Sequence, residues 1–258
     1  MELQLYDISP SLTAFSTKRQ GGYSNGLYES FNVNSYCGDD VMNVAKNKAL
    51  LCDYLQIPSD HLIIPHQIHQ TRTLKVDERF IEKDEKKRSE QLEGFDAVMT
   101  NLPGYCICVS TADCIPILIY DSVHHAIASI HAGWRGTLLS ICTQTLKEMS
   151  VHYGTNAKDC LSVIGPGISL KNFEVGEEVY SSFSDCGYPM EKISRRYEKW
   201  HIDLIECNRL QLIEQGIENK NIHISGICTY DQYETFFSAR RLGINSGRIL
   251  TGILLNQS

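Results

Sequence analysis

No stretch of this chain approaches the roughly 18 consecutive apolar residues that a membrane-crossing helix requires. Its opening residues, MELQLYDISPSLTAFSTKRQ, have neither a positive start nor an apolar core of signal-peptide length. Positive charge is not in surplus either: the formal net charge is −7 and the pI about 5.7. Generic nucleic-acid binding needs a basic face, so that class is set aside, although local basic pockets are compatible with the total. Internal repeats and low-complexity linkers are absent. So are the compact metal and redox signatures, because no Cys-x-x-Cys pair and no His-Glu-x-x-His occurs.

What the chain does have is 258 residues, 42% of them apolar, enough for one substantial core. A single domain over residues 1–258 is the simplest organisation. Ten cysteines would suggest disulfides in a small secreted chain. Several of them lie inside apolar runs such as CICVS (Cys106, Cys108), where cysteine acts as a small hydrophobe. The expectation is a soluble, cytoplasmic, mostly reduced protein without membrane or nucleic-acid partners. The most polar stretch, Asp77 to Gly94, mixes both signs of charge and suits an exposed loop or short helix.

The rest alternates strand and helix signals. FDAVMT, YCICVS, IPILIY and HAIASI read as four short strands separated by turn residues. HLIIPHQIH reads as strand and loop, CLSVIGPGIS as a strand ending in Gly-Pro-Gly, and IHISGICTY as a late strand. VMNVAKNKALLCDYLQ follows Asp39 and Asp40, which can cap a helix. TLLSICTQTLKEM, with apolar residues at 138, 139, 142, 146 and 149, predicts one amphipathic helix. DLIECNRLQLIEQG has an Asp cap and a Gly stop. The predicted class is α/β or α+β, with a mixed β-sheet core and flanking helices.

Three chemistry-bearing side chains fall at strand mouths: His69 after HLIIPHQI, Cys114 after a tight break, and His131 at the end of HAIASI. One thiolate and two imidazoles make a three-ligand set for zinc that leaves a fourth position open, as in catalytic sites. Spacing alone does not decide this: the ligands are 45 and 17 positions apart. The same residues are compatible with buried filler, or with a Cys–His hydrolase using Cys114 as nucleophile and His131 as base.

TADCIPILIYD followed by IHAGWRGTLLSI closely resembles the YfiH-like family. The likeness runs along nearly the whole chain, through FSTKRQGGYSNGLYESFNVNSYCGDD, HQIH, FDAVMTNLPGYCICV, GPGISLKNFEVGEEV, DLIECNRLQL and CTYDQYETFFSARRLGINSGR. Members have been called multicopper polyphenol oxidoreductases, laccase-like proteins and purine nucleoside phosphorylases. The resemblance implies one zinc held by His69, Cys114 and His131. It further implies phosphorolysis of adenosine, inosine or methylthioadenosine to free base and ribose 1-phosphate, with adenosine deaminase activity beside it. The chain departs from the family in four places. FSTKRQGG carries an extra residue before Gly21-Gly22, so Arg19 is aligned by its distance to that pair. His66, Gln70 and Ala239 also replace commoner residues.

Zinc lowers the pKa of bound water to roughly 7, which suits deamination. Asp113 is the candidate proton shuttle, its alternative role being a turn residue. Phosphorolysis needs an anion site, for which the candidates are Arg19, the Gly21-Gly22 turn, Arg135 in HAGWRG and Arg240, with surface salt-bridging the alternative for Arg240 and Arg241. Trp134, Tyr230, Phe236 and Phe237 are candidates for stacking on a purine, and equally for the core. Two rivals remain. A copper phenol oxidase is compatible with N and S ligands. A non-catalytic module would close its zinc with a fourth ligand such as His66 or Cys108. Oligomeric state is left open, a homodimer included.

Overall fold

A strand covered on both faces has no polar side and reads as an unbroken apolar run. The computed structural model, which describes residues 1–256, shows this in IPILIYD: it forms the strand Ile115–Asp121, and every residue is buried. Ile115, Ile117 and Ile119 pack beneath helices, whereas Leu118 and Tyr120 face a second sheet. The neighbouring strand Ala126–Ala132 divides in the same way, with Ala126, Ala128, Ile130 and Ala132 toward the helices and Ile127 toward the second sheet.

The first sheet has six strands, in the order Ile222–Ile224, Cys160–Ile164, Ile115–Asp121, Ala126–Ala132, Ala97–Thr100 and Thr73–Lys75. Its two outermost pairings are parallel and the inner ones antiparallel. The second has five, in the order Leu3–Tyr6, Leu12–Thr17, Ile249–Leu255, Cys106–Thr111 and Leu62–Ile63, with only the last pairing parallel. The sheets share an apolar layer that includes Ala14, Ile107, Ile253, Val98, Leu118 and Ile127. Helix Val41–Leu55 covers the outer face of the five-stranded sheet, and helices Ile141–Tyr153 and Leu204–Glu214 cover that of the six-stranded sheet. A third, antiparallel sheet joins Glu174–Val175, Trp200–Ile202 and Ser194–Arg196. The mixed-sheet α/β expectation is therefore realised as two stacked mixed sheets with helices outside.

Two predicted caps are present: the Asp40 carboxylate accepts from Asn43 N–H, and Asp203 from Glu206 N–H. One helix is corrected. The segment after HAGWRG forms two helices, Trp134–Leu138 and Ile141–Tyr153, because Ser140 takes a left-handed conformation at φ 60°. Leu139 is left exposed, and Ile141, Cys142, Leu146 and Met149 supply the packed face. The charged stretch forms two short helices, Glu78–Ile81 and Glu85–Gln91, capped by Asp77 and Asp84. The late strand stops at Ile224, and Cys228 contributes an isolated bridge to Gly167.

Two of the connections between these sheets run from the five-stranded to the six-stranded one. Residues 64–72 lead from Leu62–Ile63 to Thr73–Lys75, and Ala112, Asp113 and Cys114 lead from Cys106–Thr111 to Ile115–Asp121. All ten thiols are free, and six are buried, as expected of cysteine used as a small hydrophobe. No helix among the described residues is long and apolar enough to cross a membrane.

Gly252 sits in the central strand of the five-stranded sheet, where a Cβ would lie 2.5 Å from Cys108 Sγ and 2.9 Å from Phe15 Cζ. Gly252→Ala should therefore overpack this layer and cost about 1–3 kcal/mol. Urea unfolding measures it, and an unchanged midpoint would contradict the packing described.

Candidate metal centre and active site

His131 is the last residue but one of the strand Ala126–Ala132, and its neighbours Ala132 and Ile130 turn toward the helices. Alternation therefore aims His131 into the layer between the sheets. Pro116 pairs with His131 in register, so Cys114 lies just beyond the mouth of the adjacent antiparallel strand. His69 arrives on the other crossover. Gln67 fastens that crossover to the strand Cys106–Thr111 like an extra backbone rung: its Nε2 donates to Ser110 O at 2.8 Å, and its Oε1 accepts from Ser110 N at 2.7 Å.

The ligand atoms of His69, Cys114 and His131 all lie within 4.8 Å of one another. The two imidazoles meet edge to face, with centroids 4.8 Å apart. Among the described residues this is the one cluster of three or more His, Cys, Asp or Glu side chains placed to hold a metal ion, and no fourth such side chain joins it. Gly133 makes room for it, since a Cβ there would stand 3.0 Å from His69 Cδ2 and 3.2 Å from Cys114 Sγ. A soft thiolate with two imidazoles fits zinc or copper rather than magnesium or calcium. Neither suggested fourth ligand takes part. His66 Nδ1 bonds Glu93 at 2.6 Å while its ring stacks on Tyr36, and Cys108 faces Cys106 inside the five-stranded sheet.

Behind the cluster stands Asp96, which is fully buried. Its Oδ1 accepts from His131 Nδ1 at 2.8 Å and from His69 N–H at 2.9 Å, and its Oδ2 accepts from Gln70 N–H at 2.8 Å. Burial works to raise this carboxyl, but His131 and the two backbone donors hold it below the usual carboxylate range. Burial likewise pushes the Cys114 thiol up; the His131 charge and hydrogen bonds from both histidines outweigh it and bring the thiol down to about 6. For His131, burial lowers the imidazole, and the Cys114 thiolate and Asp96 raise it to about 9. Burial instead drives Cys52 up to about 11 and Cys160 up to about 12, and it raises Cys142 and Cys207 further.

The cluster opens on a cavity of about 260 Å³ whose walls include Asn34, Tyr36, Cys37, Ser110, Ile244 and Arg248. Arg248 is the one arginine lining it, and its guanidinium donates to the carbonyls of Ile244, Ser246 and Gly247. Sequence reasoning passed over both Asp96 and Arg248, although FDAVMT and INSGR contain them.

The other predicted site residues are not among the residues lining this cavity. Arg19 donates to the carbonyls of Glu29 and Tyr233. Gly21 and Gly22 abut the Met1 and Ser30–Phe31 backbones, where a Cβ would come within 2.6 Å and 2.3 Å of main-chain atoms. Arg135 is exposed and lies over Trp134 at 4.2 Å. Asp113, next to Cys114, turns away: with φ 86° its carboxylate accepts from Thr229 Oγ1 at 2.7 Å and Arg240 N–H at 2.6 Å. The Arg240 guanidinium reaches Glu174 O, and Arg241 lies over Tyr230 and Tyr233. Phe236 and Phe237 are core residues.

Residues 13–256 match the family described as multi-copper polyphenol oxidoreductase laccase. A purine nucleoside phosphorylase of Bacteroides thetaiotaomicron is 47% identical over 96% of this chain and 93% of its own length. Adenosine deaminase RL5, from an unknown prokaryotic organism, is 39% identical over 98% of each chain. The crystal structure of the Bacillus licheniformis hypothetical protein YfiH superposes with a TM-score of 0.91 at 28% identity, covering 98% of this chain and 96% of that one. These findings bear out the family resemblance and the fold class read from the sequence.

In metal-free protein the Cys114 thiolate is present above its lowered pKa and lost as the pH falls through it. Iodoacetamide labelling followed at the Cys114 peptide should therefore show a midpoint near pH 6. Cys142 and Cys207 should remain unlabelled in folded protein. A Cys114 midpoint near 9 would refute the ion-pair description.

Proposed function

This chain belongs to the multi-copper polyphenol oxidoreductase laccase family, and from that premise we propose that it is a zinc-dependent purine nucleoside phosphorylase, a single-domain cytoplasmic enzyme with adenosine deamination as a second activity. The observation that carries the reading is the His69–Cys114–His131 group opening on a cavity of about 260 Å³. Two relatives, named purine nucleoside phosphorylase and adenosine deaminase, support the substrate class.

In phosphorolysis a phosphate oxygen bonds to C1′ of the ribose while the bond from C1′ to the purine nitrogen breaks. The electron pair leaves with the base, which takes up a proton. In deamination, water replaces the amino group at C6 of adenine and ammonia departs. A zinc held by His69, Cys114 and His131 would supply a Lewis acid at the cavity's end. The chain's own residues position the rest. Arg248 brings a fixed positive charge to the wall, with its planar head oriented by three carbonyls, and is the phosphate anchor. The stacked Tyr36 and His66 rings offer an aromatic wall to the base. Ser110 Oγ and Thr111 Oγ1 are buried at the cavity without a protein partner, so a small rotation of either hydroxyl would give a bound nucleoside its hydrogen bond.

A copper phenol oxidase is the second reading, favoured by the family's description. Laccase-type turnover uses several coppers, whereas the described residues offer one ligand cluster.

Metal-analysed protein incubated with adenosine or inosine plus phosphate should yield free base and ribose 1-phosphate, identified by mass. Activity confined to copper-loaded protein and to phenols such as syringaldazine would overturn the proposal. Cys114→Ala should lose bound metal and nucleoside turnover together while circular dichroism stays native; retained phosphorolysis would contradict the assignment. Arg248→Met should raise KM for phosphate about tenfold or more, because hydrogen bonds to charged groups contribute about 1.5–3 kcal/mol.

A further inference from the structure

We propose that Asp96 is the positioning residue of the metal centre: one buried carboxylate fixes both the ring orientation of His131 and the left-handed backbone of His69, so the two imidazoles converge on a common point. The proposal rests on the reading that His69, Cys114 and His131 hold a metal.

Asp96 has no exposed surface, and its one ion-pair partner among the described residues is His131. A carboxylate so buried requires a full set of donors, and the His69 crossover and the strand Ala126–Ala132 supply them. From the His69 segment come three successive backbone N–H groups: Ile68 to Oδ2 at 3.3 Å, His69 to Oδ1 at 2.9 Å and Gln70 to Oδ2 at 2.8 Å. They form a concave anion nest, centred on a residue at φ 61°, a conformation uncommon for residues other than glycine. From the strand that carries His131 comes Nδ1, at 2.8 Å to Oδ1. The backbone adds a further link, because His131 N–H donates to Asp96 O at 2.7 Å.

The consequence for metal binding is geometric. A carboxylate only accepts, so His131 must carry a proton on Nδ1, which leaves the Nε2 lone pair for a cation. The same charge gathers the N–H groups of residues 68–70 and holds His69 where its ring meets that of His131. Asparagine cannot do both. With its oxygen toward His131 and His69, its NH₂ opposes the N–H groups of Ile68 and Gln70. Turned over, the NH₂ faces His131 Nδ1, which must then accept, and the ring proton moves to Nε2, where the metal belongs.

The experiment compares wild type and Asp96→Asn in zinc competition against a chromophoric chelator, alongside ¹⁵N-imidazole NMR. Wild type should bind one zinc per chain with His131 coordinated through Nε2 and protonated at Nδ1. Asp96→Asn should bind about 10–100-fold more weakly, with the His131 proton shifted to Nε2 and native circular dichroism retained. A role confined to stability would lower the denaturation midpoint and leave the ring proton in place. Unchanged affinity with an unchanged ring proton overturns the proposal. Should the variant fail to fold, the wild-type spectrum still decides, because coordination of His131 through Nδ1 overturns it as well. Wild-type protein that binds no zinc at all is a different outcome, which removes the metal reading itself.

Discussion

The buried charge of Asp96 is the constraint around which the rest is arranged. A carboxylate without solvent survives in a fold only if donors converge on it, and here they come from chain segments 27 residues before it and 35 residues after it. Stacking two sheets makes that convergence available. Two crossovers leave one sheet for the other beside the strand mouth that carries His131. The His69–Cys114–His131 group is thus a property of how the sandwich is closed, not of any local motif. This is why no short sequence pattern announces it.

The cysteines show the same dependence on surroundings. Six of the ten thiols are buried, and in Cys52, Cys142, Cys160 and Cys207 burial disfavours the thiolate, as apolar surroundings should. Cys114 also feels burial, yet the paired histidines reverse its direction. A proton-free thiolate beside a charged imidazole is a site in which a cation can take the proton's place, since thiolate and neutral imidazole are the ligand forms a metal needs. Residue type was legible for all ten; which one has its pKa lowered depends on two histidines remote in sequence.

Much of the fold could be read directly. IPILIYD and HAIASI announce strands buried on both faces, and Asp40 and Asp203 announce helix starts. The helix after HAGWRG misled because apolar spacing continued through Leu138 and Leu139, while Ser140 in a left-handed conformation broke the axis. The ligand triad was legible chiefly through resemblance, as gaps of 45 and 17 positions have no geometric meaning before the sheets are assembled. Asp96 was one residue of the strand-like run FDAVMT, and Arg248 one residue of the run ending INSGR. Neither can be distinguished until its partners are known. Arg19 and the Gly21-Gly22 pair suggested an anion site by type. The Arg19 guanidinium contacts and the close backbone approaches of the glycines knit the N-terminal segment to Glu29, Ser30 and Tyr233.

Asp113 and Cys114 together explain why the cavity keeps its shape beside the metal group. Asp113 takes φ 86°, so the two neighbouring side chains diverge. Cys114 turns toward the histidines, while the Asp113 carboxylate crosses to Thr229 and to the backbone N–H that opens the short helix Ala239–Leu242. That helix leads into Ile244 and Arg248, which also line the cavity. Displacing the Asp113 turn would therefore move Cys114 and the segment that carries Ile244 and Arg248 at once. This coupling gives Asp113 a sufficient reason to be aspartate without any proton to carry: a short carboxylate at a left-handed position can accept two bonds from a segment more than a hundred residues away. The His69–Cys114–His131 group and the Arg248 segment are in this way joined through Asp113 into one braced unit.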